Sequence, residues 1–196
     1  MRIALTLLIL FCGTKAFNQA VIVPGSSAIQ QKWINADLAQ MNWYVTNGTN
    51  KVLIGQVLTQ LSKKDKQLLM ITTVKMKQFT TFWTDTSIAE LPSLSPVYHS
   101  SYNSQRDMVL KFGPVVTGYY NDLMKKENIT VSDTTHSPYF DSNLYPAIIR
   151  WLPLKEGYSS SMAIYDYNPR GKIGVIKATS LAVYMPTSSS YDIDLY

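Results

Sequence analysis

Apolar and polar positions alternate with a period of two through much of this chain. From Gln67 onward Leu68, Met70, Thr72, Val74 and Met76 fall on one face, and Leu69, Ile71, Thr73, Lys75 and Lys77 on the other. Successive side chains of a strand point to opposite faces, so the pattern predicts a strand over residues 67–82, apolar throughout on one face and turning polar midway on the other. The same alternation sets Met108, Leu110 and Phe112 against Asp107, Val109 and Lys111 in a strand over 106–112. Gly113-Pro114 breaks it and residues 115–120 resume it. Asn47-Gly48 is a hairpin turn between strands at 43–46 and 51–61. A turn at 62–66, a charged turn at 121–128, a short strand at 129–132 and a last hairpin (158–165 and 172–184 about a turn at 166–171) complete the extended elements. Residues 84–104 carry Pro92, Pro96 and many serines, and read as a loop with room for one short strand.

Helical spacing occurs twice. Residues 28–41 predict one short helix capped by Ser26 or Ser27. Residues 141–152 predict the stronger one. Asp141 or Ser142 can cap it, Pro146 is tolerated in a first turn whose N–H groups lack partners, and Leu144, Ile148, Trp151 and Leu152 form one apolar stripe before Pro153 ends it. The fold class that follows is mainly β: a curved antiparallel meander, an open or half barrel, with one late helix packed on it. The 13 Tyr, 6 Phe and 4 Trp, with many Val, Ile and Thr, support strands.

The first residues have a separate logic. Arg2 precedes an apolar run over 3–11, too short to span a bilayer but long enough for the apolar stretch of a signal peptide. Thr14 and Ala16 place small residues three and one positions before a cut after Ala16; a cut after Ala20 is the alternative, with Asn18 poorly suited to its third position. Cys12 follows Phe11, not a small residue, and so reads as part of the discarded leader and not as a lipidation site. The domain plan is a signal peptide at 1–16, one β-rich domain at 17–185, and a polar tail at 186–196 that reads as truncated or altered. The expected location is outside the cytoplasm, in the periplasm or cell envelope.

Charge and chemistry narrow the function classes. Without Arg2 and Lys15 the chain keeps 16 basic and 13 acidic residues, a net +3. The basic residues are scattered apart from Lys63-Lys64 and Lys125-Lys126, so no continuous face for nucleic acid is expected. No second apolar run could serve as a transmembrane anchor. The two histidines, His99 in a serine-rich stretch and His136 between Thr135 and Ser137, read as solvated loop residues. They lack the neighbouring ligands of a metal site, and no Gly-x-Ser-x-Gly nucleophile elbow exists. We therefore expect no metal, no cofactor, no catalytic residue and a protein that is not an enzyme. The sequons at Asn47 and Asn128 are placed in turns; they matter only in a eukaryotic secreted protein. Met70, Met108 and Met162 share strand faces with Leu110, Phe112 and Ile164, and Trp151 lies on the helix stripe. Two readings stand for these seven residues: plain core, or the lining of an adaptable apolar cavity, to which flexible, polarizable methionine is suited.

Three stretches carry a family resemblance: RDMVLKFGPVVTGYY, SPYFDSNLYPAIIRWLPLKEGYSSSMAIYDYNP and GKIGVIKA. The region 106–178 resembles an exported bacterial domain family of unknown function, similar in shape to periplasmic lipoprotein carriers of the LolA and LolB type. The resemblance implies an open barrel wrapped by a helix and brings no catalytic residues with it. Members of such a family continue past the 172–184 strand with further strands, which leaves barrel closure open here. The expected function is a non-enzymatic exported cell-envelope protein that binds or carries a hydrophobic or amphiphilic ligand, its partner being a lipid or other amphiphile. The alternative is a structural or interaction protein of the envelope, whose partner is another envelope protein; a hydrolase ranks behind both. Processing after Ala16 without lipidation is expected to give a mature protein beginning at Phe17. An intact mass corresponding to an acylated chain beginning at Cys12 contradicts it.

Overall fold

The computed structural model describes residues 21–48, 50–169 and 171–182. The expected signal peptide, the last residues of the final strand and the polar tail lie outside them.

Eight strands form one antiparallel sheet in sequence order: β1 Asp37–Asn47, β2 Asn50–Lys64, β3 Gln67–Met76, β4 Trp83–Glu90, β5 Ser95–Tyr102, β6 Arg106–Lys111, β7 Val115–Asp122 and β8 Glu127–Thr134. The sheet is curved and not closed: among the described residues β1 pairs only with β2, and β8 only with β7. A second sheet holds β9 Phe140–Asp141, β10 Tyr158–Tyr167 and β11 Ile173–Ala182 in the order β11-β10-β9. The helix α1, Tyr145–Arg150, lies between β9 and β10 in the chain. The mainly β meander with one late helix is thus observed.

The second sheet lies against the inner face of the first. In β10 four successive residues, Met162 to Tyr165, are buried, so neither face meets water. Met162 and Ile164 join one core cluster with Leu61, Leu68 and Met70 of β2 and β3 and with Leu144, Ile148, Trp151 and Leu152 around α1. Ala163, Tyr165 and Tyr167 join another with Met108, Leu110, Val116, Tyr120 and Val131 of β6, β7 and β8. The stripe expected on the helix is therefore the stripe that docks.

A strand enclosed on both faces must also satisfy its backbone at both edges. β11 covers one edge of β10 over its whole length. The other edge is shared: Ile164 and Tyr165 pair in parallel with Phe140 and Asp141, and Met162 bridges Ile22. The Ile22 N–H donates to the Ser161 carbonyl at 2.8 Å, and the Ala163 N–H to the Ile22 carbonyl at 3.0 Å. Strands β6 and β7 approach closely at one glycine. A Cβ on Gly118 would lie 1.9 Å from the Val109 carbonyl oxygen of β6, so the close approach of the two strands there requires glycine.

Several expectations are corrected. Residues 28–41 do not form a helix; they hold a single 3-10 turn, Gln31–Trp33, and enter β1 at Asp37. Pairing over 11 residues with β2 outweighs a weak helical preference, and Ile29 and Ile34 are buried as part of a strap beside the helix end. The stretch 84–104 is two full strands, β4 and β5. Pro92 lies in their connecting turn. Pro96 sits directly before a bulge in which Val97 is the extra residue, a position proline tolerates. β3 ends at Met76, and residues 77–82 turn outward with Phe79 and Phe82 exposed. α1 is shorter than expected because residues 142–144 form a turn before it; Pro146 sits in its first turn. Asn128 lies in β8 and not in a turn.

Trp151 is 3 % exposed, and its carbonyl accepts the Gln30 N–H at 2.8 Å. Trp151→Ala is expected to cost ~3–5 kcal/mol, the range for removing a large core aromatic. An unchanged denaturant midpoint contradicts the docking of the helix described here.

Candidate functional site

Cross-strand register lines residues up in rows along the inner face. One row reads Leu61, Met70, Ser87, His99, Leu110, Gly118, Val131 from β2 to β8. The next reads Thr72, Asp85, Ser101, Met108, Tyr120. The first is apolar at both ends and the second at β6 and β7, and both are polar at β4 and β5, so the inner face carries a polar island made by Asp85, Ser87, His99 and Ser101, all buried.

Asp141 descends onto this island from the second sheet. It is 1 % exposed, held beside Tyr165 by the parallel pairing with β10. Its Oδ1 lies 2.7 Å from His99 Nδ1 and accepts the Asn143 backbone N–H at 3.2 Å. Its Oδ2 accepts the Ser87 hydroxyl. The Asn143 side-chain amide donates to Ser87 Oγ at 2.9 Å. The carboxyl expected to cap the helix thus bonds the backbone two residues on, an Asx turn that starts the 142–144 segment, while also binding the facing sheet. Around the island's edge, Trp83 Nε1 donates to Asp85 at 2.8 Å, and Arg106 reaches Ser101 Oγ through Nε at 3.3 Å and Nη2 at 3.0 Å. The Arg106 guanidinium stands 5.5 Å from the Trp83 ring centroid.

The expectation that His99 is a solvated loop residue is wrong. It is 5 % exposed, on β5, and its buried Nε2 has no hydrogen-bond partner among the described residues. Burial disfavours its charged form, but the attraction and hydrogen bond of Asp141, with a further pull from Asp85, outweigh burial and the opposing Arg106 charge, and its pKa is raised. His136 is exposed, as expected.

Serine, histidine and aspartate therefore meet in one place, but not in the order of a nucleophile and its base. Ser87 gives its proton to Asp141, and Asp141 holds the His99 nitrogen that faces it; Ser87 makes no hydrogen bond to the imidazole. The arrangement is a hub in which one carboxyl ties β4, β5, β9 and the turn before α1. Its partners distribute a buried charge over several donors, the condition for tolerating such a group inside a protein.

The structure divides the seven candidate ligand residues. Met70, Met162, Ile164 and Trp151 belong to the cluster beside α1. Met108 and Leu110 belong to the other, with Phe112 packed against it through edge contacts to Tyr139 at 5.9 Å and Tyr165 at 5.8 Å. β10 stands between the two groups. A surface hollow of about 500 Å³ lies at the β2–β3 turn, open and lined by Lys64, Asp65, Lys66, Gln67 and Glu90; none of the seven lines it. Among the described residues no group of three or more His, Cys, Asp or Glu could hold a metal ion, and no helix is long and apolar enough to cross a membrane.

The hub was hidden from the sequence because in β4 the polar residues face inward. Asp85, Ser87 and Ala89 alternate with Thr84, Thr86 and Ile88, and the most apolar of the six points outward. The signal available was the matching period in Asp85-x-Ser87 and His99-x-Ser101.

Because the folded pKa of His99 lies above its unfolded value of about 6.5, its bond to Asp141 adds stability that is fully present below that value and is lost as pH rises through the folded pKa. The melting temperature should therefore fall as pH is raised from about 6 into the alkaline range, and His99→Gln should remove that dependence. A slope unchanged in His99→Gln shows that another group sets it.

A model of a family of proteins of unknown function, DUF3108, matches residues 38–187. No curated protein and no solved structure matches the chain. The match spans β1 to β11, including every residue of the hub, and the chain belongs to the DUF3108 family.

Proposed function

We propose that this chain is a non-enzymatic exported protein of the cell envelope that binds a hydrophobic or amphiphilic ligand on the shoulder of its curved sheet and not within the core. The observation that carries the reading is an exposed apolar stripe on the β1–β2 hairpin. Met41 pairs with the buried Val57, Trp43 with Gly55, and Val45 with Val52, so all share the inner side of the sheet. Met41 is 48 % exposed, Trp43 38 %, Val45 51 % and Val52 61 %. Apolar side chains gathered in one exposed place mark interaction surfaces. Trp43 adds a flat ring suited to an acyl chain and an indole N–H suited to a polar head.

The resemblance to carriers of the LolA and LolB type supports the same reading, since those are open curved sheets that handle acylated cargo. The positive Arg2 followed by an apolar run over 3–11, read as a leader at residues 1–16, supports export. The packed state of the seven candidate residues moves the proposed contact from the interior to the hairpin. A second reading, an interaction protein of the envelope, draws on the outer edge of β1, which is unpaired among the described residues.

Titration with a fluorescent fatty acid tests the proposal. Wild type should bind, and Val52→Asp should weaken binding by about tenfold, the equivalent of losing one buried aliphatic contact. Leu110→Trp should instead overpack the core and cost ~1–3 kcal/mol of stability, with affinity unchanged while the protein remains folded. No binding by wild type defeats the reading for acyl ligands. Loss of binding in a fully stable Leu110→Trp returns the ligand to the interior.

A further inference from the structure

Natural sheets protect their edges with charge, proline, bulges or short strands, because an open edge offers unpaired N–H and C=O groups to any other strand. β1 uses none of these devices. It is 11 residues long, DLAQMNWYVTN, without proline or glycine. Its only charged side chain, Asp37, is at one end and is engaged by Arg150 of α1. The register shift of the hairpin places the extra residue, Ile54, on β2, so β1 itself is regular.

We propose that β1 pairs antiparallel with β1 of a second copy of this chain, about a two-fold axis at Asn42. Two constraints select that register. Side chains paired across a two-fold perpendicular to the sheet must lie on the same face, which requires residues of equal parity opposite each other. Asn42 is the midpoint of Asp37–Asn47, so this register alone overlaps all 11 residues of both strands. It sets Met41 against Trp43 of the second copy and Ala39 against Val45 on the inner face. On the outer face it sets Gln40 against Tyr44 and Leu38 against Thr46, with Asn42 facing Asn42.

No like charges meet in this arrangement, and the exposed apolar residues meet one another. Leu38 at 65 % exposure gains a threonine methyl, and Met41 gains an indole. The other edge of the sheet does not offer this. β8 carries Glu127 and Asp133, so two β8 edges gather four carboxylates, and a pairing centred on Thr130 sets Glu127 directly opposite Asp133. Self-pairing of β1 closes on itself as a dimer, since each copy's β1 is then used up. The dimer joins the two sheets into one of sixteen strands with the stripes of both hairpins side by side on one face. The inference stands on the edge and requires no ligand.

The test uses the full chain with Cys12→Ser, so that no native thiol interferes. Paired residues across antiparallel strands have Cα atoms about 4.5–5.5 Å apart, within reach of a disulfide. Sedimentation of the protein without further change should show a dimer. Asn42→Cys should crosslink on oxidation to a disulfide dimer, while Thr130→Cys on the β8 edge should not. Asn42→Lys, which brings two ammonium groups together at the axis, should be monomeric with the circular dichroism of the parent. A monomer at all concentrations overturns the proposal, whether a segment of the same chain or a different protein then covers β1. So does a dimer that neither crosslinks through Asn42→Cys nor dissociates in Asn42→Lys. If Asn42→Lys fails to fold, the crosslinking result alone decides.

Discussion

The backbone of β10 is the constraint from which the rest follows. A strand buried on both faces has no water to bond, so each edge needs partner strands along its length. β11 supplies one edge as an ordinary hairpin. The other edge is assembled from two pieces distant in sequence, Ile22 and Phe140–Asp141. Supplying that edge draws the segment before β1 into the core and fixes β9 at the height of Tyr165. The polar hub is a consequence: once Asp141 must pair beside Tyr165, its carboxyl lies against β4 and β5, and those strands must answer it with donors. Ser87 and His99 do so from adjacent positions of one cross-strand row.

The two-cluster core has the same origin. A single inner strand inside a curved sheet separates left from right, and its alternating side chains feed the two halves in turn. This explains why residues that share a strand face, such as Met108 and Leu110, pack together, while Met70 and Met162 pack elsewhere. An enclosed strand and an empty lumen compete for the same volume, and here Met162, Ile164 and Tyr165 occupy it. Van der Waals contact at the density of protein interiors then becomes the main stabilising term, which is why methionine and aromatic residues are used so freely in the lining.

What could be read from the sequence follows from how each element is stabilised. Elements whose burial pattern is their own were legible: β6 with Met108 and Leu110, the final hairpin, and the stripe Leu144, Ile148, Trp151, Leu152. Elements whose inward-facing residues become suitable for burial only through partners distant in sequence were not. β4 and β5 present serine, aspartate and histidine to the interior, and only the arrival of Asp141, more than forty residues on, makes those residues suitable for burial. Their composition therefore resembles a loop. The stretch 28–41 fails for a similar reason, since pairing with β2 imposes the extended form of its last residues, 37–41. Ile29 and Ile34 are buried in a strap and not on a helical face.

Interior and hairpin divide the physical work of the molecule. In the interior nearly every strong group is matched: the carboxyl of Asp141 has several donors, the edge of β10 has two partners, and the apolar rows are covered. At the β1–β2 hairpin the balance reverses. Met41, Trp43, Val45 and Val52 remain in water, and the strand beside them is open along its outer edge among the described residues. Exposing this much apolar side chain on one regular, uncharged edge raises the free energy of the isolated chain and invites uncontrolled association. A fold that satisfies β10 from distant segments has the means to cover a hairpin as well. Among the described residues nothing covers this one, so the proposed contact surface lies there, and a single self-limiting partner at that edge would remove the hazard and the exposed surface together.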